Sequence, residues 1–244
     1  MNRLNRLFSL LLALVLVGTM GCATPQVAPA TANGGGSASP NALRYLALGD
    51  SYTIGEGAAS ADRWPTQLAG LLAAQGVAVA APDYIARTGW TTAELQAAIA
   101  DARPAATYGL VSLLIGVNNQ YRGQSLAQYR VEFRALLQQA IGFAGGRPGH
   151  VVVLSIPDWG QSPYGQRQGR DPAAIGLEID QFNAAAQDEC RQASVAYINI
   201  TDLTRAAAGA RSQFTSDGLH YSGPQMREWA DRALPVTQAL LSSK

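Results

Sequence analysis

From residue 42 onward, apolar runs of strand length alternate with longer stretches of helical periodicity. The strand-like runs are 43–49, 77–86, 108–116, 150–157 and 195–200, and the helical stretches are 63–75, 91–103, 125–144, 172–193 and 222–242. The strand-like runs are continuously apolar, which is typical of parallel strands that helices bury on both faces. The pattern therefore predicts one α/β domain over 42–244, with three α/β/α layers built on a five-stranded, mainly parallel sheet.

The segment before this domain has the composition of an export signal followed by a tether. Arg3 and Arg6 precede an apolar stretch that is too short for a comfortable membrane span, so residues 1–21 are predicted to be a signal peptide. The stretch ends at a small residue followed by Cys22, as in bacterial lipoproteins, whose cysteine is acylated; ordinary signal cleavage within 22–30 is the alternative. Residues 22–41 are rich in Ala, Pro, Gly, Ser and Thr, which favours a flexible linker. We expect an exported, membrane-anchored lipoprotein facing the periplasm or cell exterior, or otherwise a secreted protein.

Charge and cysteine content exclude several classes of partner. The formal net charge is +1 and no block of Lys or Arg stands out, so a nucleic-acid partner is not expected. No Cys, His and Asp cluster has the spacing of a metal site, so neither a metal nor a cofactor is expected. Cys190 lies in a helical stretch, where a packed, unreactive thiol is the simpler interpretation. We expect a monomer that meets the membrane only through an N-terminal lipid.

Polar residues follow the predicted strands at the edge of a parallel sheet where ligands bind. Ser51 follows the first strand, and a serine hydroxyl needs a base to become a nucleophile. The chain has two histidines: His150 opens the fourth strand at the opposite edge, whereas His220 follows the fifth strand. Asp217 lies three residues before His220 and can orient its imidazole. The alternative for this D-x-x-H pattern is a helix cap beside a solvated histidine.

Two further strands end on residues that can stabilise an oxyanion. Gly89 lies in the turn after the second strand, where its backbone N–H can approach a crowded site. Asn118 follows the third strand and carries a neutral amide donor, although asparagine at such a position is often only a turn former. These two groups and the Ser51 N–H are the candidate oxyanion hole.

The GDS at 49–51, the G-x-N at 116–118 and the D-x-x-H at 217–220 together resemble the SGNH or GDSL hydrolase family. The resemblance covers about 43–235 and implies a flavodoxin-like α/β/α fold. It also implies a serine esterase in which Ser51, His220 and Asp217 are catalytic, while Ser51, Gly89 and Asn118 hold the oxyanion. Two departures from the family pattern are Asn119, where Asp is usual, and Tyr52, where Leu is usual.

The resemblance implies an ester substrate without identifying it. Short-chain acyl esters, lysophospholipids, thioesters and acetylated glycans are all substrates of the family. Tyr52, Asn119, Trp90 and Trp159 are the expected substrate contacts, with Tyr121 and Tyr164 as further candidates for the rim of a pocket; packing is the alternative for all the aromatic residues.

Two other functions compete with an esterase. One is a non-catalytic, envelope-anchored module that binds glycan or lipid on the same fold. The other is a phosphate or nucleotide binder that uses residues 49–57 as an anion loop. Asp50 and Glu56 argue against the latter because they place negative charge where a phosphate would bind, and the chain lacks a P-loop motif.

Overall fold

The computed structural model describes residues 42–104 and 107–242. Five parallel strands form its sheet in the order β2-β1-β3-β4-β5. The strands are β1 (Tyr45–Gly49), β2 (Asp83–Ala86), β3 (Leu110–Leu114), β4 (Val151–Leu154) and β5 (Ala196–Ile198). The α/β class and the five-stranded sheet are confirmed, and every strand pair is parallel.

Eight α-helices alternate with or follow the strands in the described residues. They are α1 (Ser51–Ile54), α2 (Trp64–Ala74), α3 (Thr92–Ala102), α4 (Val117–Tyr121), α5 (Leu126–Phe143), α6 (Pro172–Gln192), α7 (Thr201–Ala206) and α8 (Gly223–Ser242). Short 3₁₀ turns lie at Ser60–Asp62, Pro148–His150, Trp159–Gln161, Gly165–Arg167 and Arg211–Gln213. Helix α2 packs on α8, while α5 packs on α3 and α6.

The core explains why the strands carry no alternation of polar and apolar residues. Every residue of β1, β3 and β4 is buried. Burial on both faces leaves no solvent-facing position for polar side chains. Strand β1 connects to its neighbour β2 on one side, whereas its other neighbour, β3, connects to β4 on the opposite side, so the connections diverge between β1 and β3. A crevice forms above the carboxyl ends of the strands at such a point.

The second strand differs from its prediction. The apolar run 77–86 suggests one long strand, but only Asp83–Ala86 pairs continuously with β1. Upstream, Val79 makes a single isolated bridge with Leu43. Pro82 lies between the two pieces, and proline has no N–H to donate to a strand ladder. The proline accounts for the interruption, and β2 is only partly buried, with Asp83 exposed, so the predicted burial on both faces is wrong for this strand.

The predicted signal peptide at 1–21, the linker at 22–41 and the lipidation site Cys22 lie outside the described residues. Over 42–104 and 107–242, none of the helices has the length and apolar character needed to cross a bilayer.

Candidate active site

One cavity at the carboxyl edge of the sheet brings together residues from four distant segments. It has a volume of about 170 Å³ and is lined by Ser51, Gly89, Asn118 and His220 among others. Ser51 follows β1, Gly89 follows β2, and Asn118 lies in α4 directly after β3. His220 lies between the last strand and α8. The site therefore occupies the place where a parallel α/β sheet normally binds its ligand.

The local structure around Ser51 explains its position at the cavity floor. Strand β1 ends at Gly49, where a Cβ atom would lie 2.3 Å from the Leu114 carbonyl oxygen of the neighbouring strand. Asp50 then caps α1 by accepting a hydrogen bond from the Tyr52 N–H at 3.0 Å. Ser51 is the first residue of α1, so its own N–H has no acceptor within the helix. The hydroxyl and this N–H are both available at the cavity.

The loop Thr215–Tyr221 carries the imidazole and its carboxylate partner together. Asp217 Oδ2 lies 2.6 Å from His220 Nδ1. Its other oxygen, Oδ1, accepts hydrogen bonds from the backbone N–H of Leu219 at 2.8 Å and of His220 at 3.0 Å, and from the Thr215 hydroxyl at 2.9 Å. Residues 217–220 thus form a turn in which both oxygens of Asp217 accept hydrogen bonds.

These contacts keep Asp217 ionised and select the tautomer of His220. Burial alone would raise the pKa of Asp217, but hydrogen bonds from the His220 ring, two backbone amides and the Thr215 hydroxyl outweigh it and hold the pKa at about 2. An ionised carboxylate can only accept, so Nδ1 of His220 carries the proton that it donates to Asp217. In the neutral imidazole this leaves Nε2 as the nitrogen with a free lone pair.

Arg211 and Tyr52 hold this loop in place. Arg211 donates to the carbonyl oxygens of Phe214, Thr215 and Ser216 at 3.2, 2.6 and 3.0 Å. The Tyr52 ring lies 5.6 Å from the His220 ring, centroid to centroid. Three carbonyl contacts and one ring contact therefore restrict the movement of the imidazole.

Gly89 and Asn118 face the cavity as neutral hydrogen-bond donors. Gly89 has a φ of 85°, a left-handed conformation that favours glycine. Among the described residues no acceptor contacts its N–H. Asn118 donates one Nδ2 hydrogen to the Trp90 carbonyl at 2.9 Å. Its amide has a second hydrogen, so a donor remains for a ligand.

Aromatic side chains form the remaining wall. Trp159, Tyr121 and Tyr164 line the cavity. The rings of Tyr121 and Trp159 meet edge-on with centroids 5.2 Å apart, and the Tyr121 and Tyr164 hydroxyls lie 3.3 Å apart. Trp159 is fully buried, whereas Tyr121 is 47% exposed. The wall thus has a rigid base and an accessible rim.

A chain of polar contacts fixes Trp159. Its indole N–H donates to Gln120 Oε1 at 2.8 Å, and Gln120 Nε2 donates to Glu178 on α6 at 2.6 Å. Arg170 donates to both oxygens of Glu178 at 2.9 Å. The long polar loop 158–173 is consequently fastened to α4 and α6.

Two of the four expected substrate contacts need correction. Tyr52 and Trp159 line the cavity, but Asn119 and Trp90 do not. Asn119 is fully buried, and its side-chain amide oxygen accepts a hydrogen bond from the Thr92 N–H. Its amide nitrogen donates to Thr92 Oγ1 and Gln124 Oε1. The amide therefore links α4 to the start of α3 and has no donor left for a ligand. The Trp90 side chain packs against the core, and its contribution to the site is its carbonyl.

The sequence reasoning also missed three residues of the lining: Thr88, Val117 and Leu219. Each is the immediate chain neighbour of a predicted site residue, so adjacency to Gly89, Asn118 and His220 was the signal that could have found them.

The remaining candidates lie away from the cavity. His150 precedes β4 and its Nδ1 contacts the Gly109 carbonyl at 2.6 Å. Cys190 is buried in α6, where burial, with a smaller contribution from Glu189, raises the thiol pKa to about 12. Over the described part of the chain, no group of three His, Cys, Asp or Glu side chains could hold a metal ion.

A family model matches most of the chain, and solved structures share its fold. Residues 47–226 match the family model described as GDSL-like lipase/acylhydrolase. Among curated protein sequences, none matches the chain.

Solved structures of similar fold include TesA, with a TM-score of 0.64 and 19% identity over 81% of this chain and 99% of that chain. A lipase/acylhydrolase from Enterococcus faecalis has a TM-score of 0.60 and 20% identity over 81% and 96% of the two chains. A variant of Axe2, an acetyl xylan esterase from Geobacillus stearothermophilus, has a TM-score of 0.63 and 16% identity over 80% and 94%.

Proposed function

Because the chain belongs to the GDSL-like lipase/acylhydrolase family and is a hydrolase of esters, we propose that it cleaves short-chain carboxylic esters through a Ser51–His220–Asp217 triad. The observation that carries this proposal is the 2.6 Å contact between Asp217 and the His220 ring, in the loop that lines one cavity with Ser51. The contact orients the imidazole and leaves Nε2 as the base for the serine.

In the acylation step, the Ser51 hydroxyl oxygen attacks the ester carbonyl while His220 Nε2 takes its proton. The carbonyl oxygen becomes an oxyanion in the tetrahedral intermediate. When the intermediate collapses, the bond to the alcohol oxygen breaks and His220 returns its proton to the leaving alcohol. The Asp217 carboxylate stabilises the imidazolium throughout and stays ionised, in keeping with its low pKa.

In the deacylation step, water replaces the alcohol. The water oxygen attacks the acyl-enzyme carbonyl while His220 takes a proton from the water. The bond between the acyl carbon and the Ser51 oxygen then breaks, and His220 returns the proton to Ser51 as the carboxylic acid leaves. The proposed oxyanion hole, made of the Ser51 and Gly89 N–H groups and the Asn118 amide, serves both steps. Removal of one such donor typically costs about 3 to 4 kcal/mol of activation free energy.

The cavity size favours a short acyl group. About 170 Å³ is small against the roughly 300–1,000 Å³ of common ligand pockets. The aromatic side chains of Trp159, Tyr121 and Tyr164 take up part of the wall and leave little room for a long acyl chain. This supports acetyl to butyryl esters over lysophospholipids with long chains.

The alcohol part of the substrate is proposed to be polar, as in an acetylated glycan. A second cavity of about 370 Å³ adjoins Tyr121, and its lining combines polar side chains, among them Gln124, Gln181 and Arg170, with apolar Leu126 and Phe182. The similar fold of an acetyl xylan esterase is in keeping with this choice. We also propose export and lipid anchoring at Cys22, on the sequence pattern alone.

The test is turnover of p-nitrophenyl acetate and butyrate by the full-length protein and by Ser51→Ala. We expect the substitution to lower kcat/KM by roughly a thousandfold or more, because the nucleophile is lost. Ser60→Ala is the matched control. This serine is exposed in the 3₁₀ turn Ser60–Asp62, and its substitution should leave turnover unchanged. Full activity in a folded Ser51→Ala protein would refute the triad, and binding of substrate without turnover by the unaltered protein would favour the non-catalytic module.

A further inference from the structure

Helix α4 holds the turn that carries Gly89 through two separate contacts. Asn118 Nδ2 donates to the Trp90 carbonyl at 2.9 Å. Arg122, the residue that ends α4, donates from Nη2 to the Gly89 carbonyl at 2.5 Å. Two successive carbonyl oxygens of this turn are therefore occupied by donors from the same short helix.

A carboxylate on α3 holds the Arg122 guanidinium in place. Nη1 of Arg122 lies 3.3 and 3.2 Å from the two oxygens of Glu94. Glu94 also closes the capping box of α3, because its Oε2 accepts from the Thr91 N–H at 2.7 Å. The guanidinium thus joins the end of α4, the start of α3 and the turn between β2 and α3.

This arrangement has a consequence for the direction of the Gly89 N–H. With a φ of 85°, Gly89 could rotate through conformations that are costly for other residues. The contacts on the Gly89 and Trp90 carbonyls fix the two peptide groups that follow Gly89, and this restricts that rotation. A charge-assisted hydrogen bond from a planar guanidinium suits this task better than one from a flexible ammonium group.

We infer that Arg122 is a positioning residue for the oxyanion hole, acting through the Gly89 backbone rather than through contact with substrate. The inference rests on the proposed function, since it assigns a purpose to the Gly89 N–H. Its guanidinium is not in the lining of the cavity, and its side chain is 45% exposed. A surface ion pair in such a place contributes little to stability, so its effect should fall on the reaction.

The test compares the full-length protein with Arg122→Gln, Arg122→Lys and Glu94→Gln. For Arg122→Gln we expect kcat for p-nitrophenyl acetate to fall about tenfold with KM within about twofold, because the donor is misaligned but still present. Arg122→Lys keeps the charge but cannot span both partners, so an intermediate loss is expected. Glu94→Gln retains a capping-box residue and should show a smaller loss in the same direction. The matched control is Arg227→Gln, which breaks a comparably exposed pair with Asp231 on α8 and should leave kcat unchanged.

A second readout does not depend on turnover. The NMR order parameter of the Gly89 amide should fall in Arg122→Gln and remain unchanged in Arg227→Gln. If kcat and the Gly89 order parameter both match the unaltered protein, the inference is overturned, even if the melting temperature falls. Should Ser51→Ala retain activity, the proposed triad fails, yet the order parameter still decides whether Arg122 holds Gly89.

Discussion

Two aspartates near the cavity, Asp50 and Asp217, have opposite electrostatic surroundings. Asp217 receives four hydrogen bonds and has a low pKa. Asp50, next to Ser51, is fully buried and receives a hydrogen bond from the Tyr52 N–H on Oδ1, while its Oδ2 has no partner among the described residues. Burial, only partly offset by backbone hydrogen bonds, raises the pKa of Asp50 to about 7. The surroundings of Asp217 favour its charged form, whereas those of Asp50, which caps α1, favour its neutral form.

Asp50→Asn should therefore change how stability depends on pH. In the folded protein Asp50 keeps its proton up to about pH 7, whereas the unfolded chain releases it near the ordinary aspartate pKa of 3.8. The folded state binds more protons between these values, so the stabilisation is complete below about pH 4 and is lost as pH rises through 7. Asn keeps a capping oxygen and cannot ionise. At pH 8 we expect the variant to be more stable than the unaltered protein, by on the order of a few kcal/mol.

Urea unfolding of both proteins at pH 4 and pH 8 measures this difference. A variant less stable than the unaltered protein at pH 8 would contradict the assignment of a raised pKa to Asp50.

At the scale of elements, the junction of β1 and α1 depends on the absence of a side chain at Gly49. A Cβ there would lie 2.1 Å from Thr53 Oγ1 and 2.3 Å from the Leu114 carbonyl oxygen. The first atom belongs to a buried side chain and the second to backbone of the adjacent strand, so neither can move cheaply. The end of the strand, and with it the position of Ser51, is set by this close approach.

Gly49→Ala should accordingly destabilise the protein by roughly 2 kcal/mol or more, as overpacking does in other cores. Gly70→Ala is the matched control, because Gly70 is exposed on α2 with no atom near its would-be Cβ. Alanine in a helix interior is favoured over glycine by about 0.5 to 1 kcal/mol, so this variant should gain stability. The measurement is the urea midpoint of each variant; a neutral Gly49→Ala would mean that β1 and β3 can separate without cost.

Predictability from the sequence differed among the elements for physical reasons. The long helices and the strands β1, β3 and β4 were predicted because each buries a periodic or continuous apolar run, while β2 and β5 are shorter and less buried than their apolar runs suggested. Helices α1, α4 and α7 were not predicted, since each has six residues or fewer and one turn leaves no periodic pattern to detect. These short helices include two that carry site residues, Ser51 and Asn118, so the least predictable elements lie closest to the reaction.

For the whole molecule, sequence order and sheet topology together bring the site residues to one edge. The motifs at 49–51, 116–118 and 217–220 anticipated which side chains line the cavity, because strand ends of a parallel sheet meet there. Asn119 was misjudged for a different reason. A side chain that follows a strand can point into the cavity or toward the neighbouring helix, and the choice depends on partners such as Thr92 that are distant in sequence.

We expect the aromatic side chains that line the cavity to limit the length of the acyl group that it accepts. We expect the full-length protein to hydrolyse p-nitrophenyl acetate and butyrate much faster than the octanoate. Tyr121→Ala opens the exposed end of the wall and should raise the octanoate-to-acetate ratio of kcat/KM by roughly tenfold, within the range that a few methylene contacts provide. Val131→Ala, at an apolar residue exposed on α5, is the control. An unchanged ratio in Tyr121→Ala would show that another part of the protein sets chain length.

The loop that Arg211 holds carries Asp217 and His220 only three positions apart, whereas Ser51 comes from near the start of the domain's sequence. Warming or partial denaturation should hence displace Asp217 and His220 together, with the 2.6 Å contact between them preserved. If the proposed triad operates, inactivation would then begin when Ser51 separates from this intact pair, and cooling would restore activity without any refolding of the sheet.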